Sequence, residues 1–409
     1  MAGRRRRAVQ LAALAALLEP CDAVSKREIK VPGWPDLSSK VPLSAGIVTN
    51  DLVMASGMSG INFTTFKPVP GGVKAETKQA LELMKQLVEA GGSNMSEVVG
   101  CSVYLKDIKD FATVNQEYAT FFPKPRPARV AMEVSALAGD LSVEVQCRAS
   151  LAAESRKEVV VPGWPDMTDK FPFSTGLTAG NFAFISGMQG IDMATGKLVE
   201  GGPKEETAKT LFNIREAVEA AGSSIDRIVN CAVYLTNISD FAAMNAAYRQ
   251  FFPRGRPARV TMQVAGLAGV ASVEIQCLAS LPSAAQQEVV VPGWPAEWQA
   301  DLSSGIIADR LLFAAGLQGV DLKTGKLVPG GAEEETAQAL TLLSQLLAAG
   351  QTSMAEVVEC AVYLRDMKDF AAMNAAYAKA FPKPAPARVA VQVAALANGA
   401  AVEVKCVAA

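Results

Sequence analysis

The chain has 409 residues, half of them hydrophobic and a fifth charged, with a formal charge of −2 and no histidine. That composition is ordinary for globular protein. It excludes Ser-His-Asp and Cys-His nucleophile systems and every His-ligated zinc site. With no basic block beyond Arg4–Arg7, it also argues against a nucleic-acid surface.

Residues 1–27 read as a leader. Four arginines precede an apolar run from Ala8 to Leu18, and no acid appears before Glu19. A secretory signal, with Cys21-Asp22-Ala23 as a loose cleavage site, and an organellar (mitochondrial or plastid) transit peptide both fit this pattern. The run is too short to span a bilayer, and nothing later is a transmembrane candidate.

After the leader the chain repeats. VPGWP occurs at Val31–Pro35, Val161–Pro165 and Val291–Pro295, and PARV at Pro127–Val130, Pro257–Val260 and Pro386–Val389. The period of about 130 residues is too long for a solenoid unit and suits a domain with its own core. The expected domains are 28–154, 155–284 and 285–409, with short polar, alanine-rich seams near Ala152–Lys157 and Pro282–Gln287. Short seams imply copies packed together.

The second copy shows the elements best. NFAFIS at Asn181–Ser186 predicts a strand, and Asp192–Gly196 a turn. Pro203–Gly222 predicts a helix, with proline and acids at its start, glycine at its end, and Leu211, Ile214 and Val218 as an apolar stripe. Ile228–Leu235 is the next strand. Ser239 or Asp240 is expected to cap a second helix, Phe241–Phe252, whose core face is Phe241, Met244, Tyr248 and Phe251. Arg259–Val264 and Ser272–Leu278 are two more strands. In the last, Val273, Ile275 and Cys277 alternate with Ser272, Glu274 and Gln276, which turns Glu274 away from the apolar face.

The order strand, helix, strand, helix, strand, strand predicts an α/β (α+β) domain, a mixed sheet with both helices on one face. The other sheet face needs a partner. Three copies meet that need by closing into an intramolecular pseudo-trimer, so a single chain is expected to be self-contained.

Six of the seven cysteines recur at two places per copy: Cys101, Cys231 and Cys360, then Cys147, Cys277 and Cys406. They are expected to be small buried apolar residues, with a disulfide in each copy left open as a matter of geometry.

Three polar positions recur beside apolar segments: Arg129, Arg259 and Arg388; Glu144, Glu274 and Glu403; Asn115, Asn245 and Asn374. One reading makes Arg and Glu a structural ion pair. The other makes an anion site, in which the arginine fork binds a carboxylate and the glutamate accepts a proton from water.

At these residues the sequence resembles the RidA/YjgF family, the reactive-intermediate imine deaminases. The matching elements are SGMQG at Ser186–Gly190, IVNCAVYL, DFAAMNAAYRQFFP and PARVTMQVAGL…VEIQCLAS, with counterparts in the other copies, DFATVNQEYATFFP and DFAAMNAAYAKAFP among them. Together they cover nearly the whole chain after the leader. The resemblance implies a fold like the small trimeric chorismate mutase, clefts between copies, and hydrolysis of 2-imino acids or their enamine tautomers to 2-keto acids and ammonia with no cofactor and no metal. It implies that Arg129, Arg259 and Arg388 hold the substrate carboxylate and that Glu144, Glu274 and Glu403 serve the attacking water. Asn115, Asn245 and Asn374 would stand near the cleft, and Gly57, Gly187 and Gly316 would line it with backbone.

The chain departs from the family pattern in three places. Leu43, Phe173 and Leu302 stand where deaminases commonly carry tyrosine; Ala131, Thr261 and Ala390 stand where cysteine is frequent; Ala315 replaces the serine of Ser56 and Ser186. A non-catalytic small-carboxylate binding or regulatory module on the same scaffold is the competing expectation, disfavoured because a glutamate repels an anionic ligand. A ribonuclease is disfavoured by the charge balance and by sparse aromatics for base stacking.

Overall fold

The computed structural model describes residues 26–49, 51–152, 156–166, 168, 170–253, 255–295 and 302–409. Most of the leader, residues 1–25, therefore lies outside the described residues, as do 153–155 in the first seam. Among the described residues no helix is long and apolar enough to cross a membrane.

Each copy is a mixed sheet with two helices on one face. In the second copy the sheet runs Lys157–Glu158, Gly176–Ala179, Phe182–Ile185, Val273–Ser280, Ile228–Leu235, Ala258–Gln263. Only Ile228–Leu235 and Ala258–Gln263 pair in parallel. The helix Phe241–Phe251 makes the crossover between them, as a parallel connection requires. The first two strands were not predicted. They are short, and GLTA at Gly176–Ala179 becomes a strand by pairing with Phe182–Ile185 around Gly180, whose φ of 54° permits the tight reversal.

The predicted helices form with small shifts at their ends. The first spans Pro203–Ala220, with Pro203 in its first turn and Gly222 beyond its end at φ 80°. Leu211, Ile214 and Val218 are fully buried, and each such burial stabilises by about 1.5–3 kcal/mol. Glu206 does more than sit at a positive helix end. Its carboxylate accepts the Ser272 N–H at 2.6 Å and the Ser272 hydroxyl at 3.1 Å, which fixes the start of the last strand two residues before Glu274. The capping expectation holds in position and not in bonding. Asp240 occupies the N-cap without a side-chain bond, and a single 3₁₀ turn, Ile238–Asp240, precedes the helix with Asn237 accepting from the Ser239 N–H.

The six recurring cysteines are buried as expected, and the disulfide left open by the sequence forms in each copy. Cys101–Cys147, Cys231–Cys277 and Cys360–Cys406 are disulfides. The physical reason is register: each pair lies directly opposite on adjacent antiparallel strands, with Cα atoms 4.1–4.2 Å apart.

The bare sheet faces meet one another. One shared cluster joins Met54, Phe184 and Phe313, and a second joins Met132, Met262 and Val391, each set drawn from all three copies. Backbone pairing closes the ring. After its arginine strand, each copy lends a two-residue strand to a neighbour: Gly266–Leu267 pairs with Met132 and Glu133, Ala395–Leu396 with Met262 and Gln263, and Ala136–Leu137 with Val391 and Gln392.

Candidate functional site

The predicted arginines and glutamates come together, but across copies. Gly187 donates its N–H to the Arg129 carbonyl at 2.9 Å, Gly316 to that of Arg259 at 3.0 Å, and Gly57 to that of Arg388 at 3.1 Å. Each arginine thereby faces the glutamate of the next copy: Arg129 with Glu274, Arg259 with Glu403, Arg388 with Glu144. The structural ion pair is not formed. Among the described residues no salt bridge joins any of these arginines to these glutamates, because each pair is held apart on opposite walls of a cleft.

The glycines are required by packing. A Cβ on Gly57, Gly187 or Gly316 would overlap the carboxyl of Glu144, Glu274 or Glu403. Gly190 likewise lies against the backbone of Glu206. The glycines of SGMQG thus seat this loop on the two glutamates that frame the last strand.

Each guanidinium is buried and stacked on its own second helix. Arg129 lies 4.9 Å from the Tyr118 ring, Arg259 4.4 Å from Tyr248 and Arg388 4.7 Å from Tyr377. These are cation–π distances. Both terminal nitrogens of Arg129 are buried without a hydrogen-bond partner. Burial lowers the Arg129 pKa to about 10 against the pull of Tyr118 and Glu274, so it remains a cation at neutral pH.

The three glutamates are pushed up to about 7 by burial, with the facing arginine pulling the other way in each case. Gln189 donates to Glu274 at 2.8 Å and Gln318 to Glu403 at 2.9 Å. The first copy has Ser59 at that register position, and among the described residues no side chain donates a hydrogen bond to Glu144.

The cleft between the second and third copies is a cavity of about 230 Å³. Arg259, Thr261 and Phe241 line it from one side, and Gly316, Gln318 and Glu403 from the other. Leu302 also lines it, at the position aligned with the family tyrosine. Phe173, its counterpart in the second copy, lies 4.7 Å from Arg129. The clefts therefore differ. Ser186 and Ser56 accept the N–H of Arg129 and Arg388 at 2.9 and 2.8 Å, and Ala315 has no hydroxyl to do so. The buried Thr261 hydroxyl has no hydrogen-bond partner.

Asn245 is buried on the second helix but does not line the 230 Å³ cavity. The side-chain oxygens of Asn115 and Asn374 are buried without a partner. Sequence reasoning missed the tyrosine shelf, the Gln189 and Gln318 donors and the Thr261 hydroxyl. Gln189 stands inside the quoted SGMQG motif, which was the available signal.

This arrangement sets an arginine and a carboxyl on facing walls between like domains. A family model described as Endoribonuclease L-PSP matches residues 36–151, 167–281 and 296–409. The chain belongs to that family, the RidA/YjgF family, three times in tandem. A RutC family protein of Pyrococcus horikoshii is 41% identical over 108 residues, 26% of this chain and 86% of the relative. The 2-iminobutanoate/2-iminopropanoate deaminase of Capra hircus is 42% identical over 108 residues, 26% of this chain and 79% of the relative. Among solved structures, a chain described as a putative endoribonuclease L-PSP from Entamoeba histolytica is 37% identical and covers 30% of this chain and 98% of its own, with a TM-score of 0.29.

Proposed function

We propose that the chain hydrolyses small 2-imino acids, of the 2-iminobutanoate and 2-aminoacrylate type, to 2-keto acids and ammonia at its three inter-copy clefts. The observation that carries this reading is the buried Arg129 fork, with both ends unpartnered, facing a Glu274 carboxyl whose pKa lies about 7.

The fork binds the substrate carboxylate in bidentate fashion and sets the imine carbon before the glutamate. Glu274 takes a proton from water as the water oxygen bonds to that carbon and returns it to the imine nitrogen, giving the carbinolamine. The glutamate then takes the carbinolamine hydroxyl proton and passes it to the amino nitrogen. The C–N bond breaks, the carbonyl forms and ammonia leaves. Imine and water are consumed, keto acid and ammonia are released, and the carboxylate is regenerated. A group with a pKa near the working pH suits both halves of this shuttle.

The test generates 2-iminobutanoate in situ from threonine with a dehydratase and measures keto-acid release with and without this protein. Faster release supports the reading. A second reading, a small-carboxylate binding module, is favoured by Phe173 and Leu302 standing in the clefts in place of a tyrosine hydroxyl. Tight 2-oxobutanoate binding with no acceleration would establish it instead.

A further inference from the structure

A second polar chamber, separate from the three clefts, lies where the three sheets meet. Its cavity is about 100 Å³, and equivalent residues of all three copies line it, among them Tyr104, Tyr234 and Tyr363. It therefore sits on the pseudo-threefold axis.

In a homotrimer any charge at such a place would appear three times and repel itself. Fusion into one chain removes that constraint, and the copies differ here. Gly100, Asn230 and Glu359 occupy one set of equivalent positions. Arg148, Leu278 and Val407 occupy the set opposite them, and Gln146, Gln276 and Lys405 a third. The outcome is three charges around one axis.

Two of them cancel. Arg148 donates through Nε to Glu359 at 2.8 Å and through its terminal nitrogen as well, and Gln146 donates to the other Glu359 oxygen at 3.1 Å. The Lys405 ammonium makes no hydrogen bond and no ion pair among the described residues. Gln276, Tyr234 and Tyr363 line the same chamber, and their polar groups make none either; both tyrosines are buried. A partly buried cation that no group hydrogen-bonds is costly, and burial with Arg148 nearby lowers the Lys405 pKa to about 7 against the pull of Glu359, which Arg148 already pairs.

We propose that this axial chamber is a binding site for one small monovalent anion, a halide or a short carboxylate, held by the Lys405 ammonium with neutral donors around it. The volume holds about three waters' worth of ligand, room for bromide or acetate. Lys405, Arg148, Glu359 and the three tyrosines are the titratable groups that face the chamber. Burial brings the Lys405 ammonium to about 7, so affinity falls as pH rises through that value.

The test uses crystals of the full chain grown at pH 6.5 with sodium bromide, and a parallel set in which acetate competes. Lys405→Gln is the informative variant, because the other two copies carry glutamine there; Lys405→Met keeps the stem and removes both charge and hydrogen bonding. An anomalous bromide peak beside Lys405 Nζ in the unmodified protein, weakened at least tenfold in both variants with imine turnover unchanged, supports the proposal. Displacement by acetate assigns the site to carboxylates, and persistence against acetate assigns it to halides. Absence of the peak from the unmodified protein, or equal occupancy in the variants, would overturn it.

Discussion

The carbonyl of Arg129 accepts the N–H of Gly187 at 2.9 Å, across the boundary between the first and second copies. One backbone bond thus sets the distance from a guanidinium on one domain to a carboxyl on another. Glycine is needed because its missing Cβ is the space that Glu274 fills, with Val130 Cγ2 2.8 Å from that point on the neighbouring copy.

Gly187→Ala should therefore displace Glu274 and part the two copies locally. Overpacking of this kind costs about 1–3 kcal/mol, readable in urea denaturation, and turnover should fall by about a third if the three clefts contribute independently. Unaltered stability and turnover would contradict the packing described.

Arg129→Ala, Arg259→Ala and Arg388→Ala combined should abolish imine hydrolysis. The lysine triple variant should recover little of it, since an ammonium lacks the planar fork. Full activity in the alanine triple variant, measured by keto-acid release, would remove the carboxylate clamp.

Glu144→Gln, Glu274→Gln and Glu403→Gln together should reduce turnover at least about tenfold, general-base contributions being on the order of 10²–10⁴. Affinity for 2-oxobutanoate, measured by calorimetry, should hold or improve, because an anion facing the ligand has gone. Unchanged turnover would end the base role.

The same carboxyls set opposite slopes for activity and stability. Their folded pKa values, about 7, lie above the ordinary value of 4.5. Between those values the folded chain holds more protons than the unfolded one, so their contribution to stability falls as pH rises from about 4.5 to 7. Turnover should rise over the upper part of that window as the base ionises. Urea melts at pH 5.5 and 7.5 should show the unmodified protein losing more stability between the two than the triple glutamine variant; equal losses would contradict the burial of these groups.

Ring closure within one chain leads us to expect a particle of one chain, 42.9 kDa, with no obligatory self-association. Sedimentation velocity across a wide concentration range checks this. A stable assembly of three chains would contradict it.

Much of this was legible in the sequence. The repeated PARV and VPGWP gave the copy number, and helical spacing of Leu211, Ile214 and Val218 gave the buried face. Alternation along Val273–Cys277 placed Glu274 opposite the core. What could not be read was register between distant segments. Cys231 and Cys277 bond because they are cross-strand neighbours, a fact absent from either strand alone. Nor does a repeat say whose glutamate meets Arg129, since every copy offers one. The strand Gly176–Ala179 was hidden because its order comes from pairing rather than from its own residues.

Strand lending also imposes an order on biosynthesis. The first copy emerges from the ribosome with Ala128–Glu133 at an unpaired edge, the kind of template on which chains aggregate. Gly266–Leu267 covers that edge only after more than a domain's length has been made. Ala136–Leu137, finished early, waits for Val391 and Gln392 in the third copy. The clefts of Arg388 with Glu144 and of Arg259 with Glu403 both wait for the third copy, and a chain truncated before the final arginine strand lacks both of them and the closed ring.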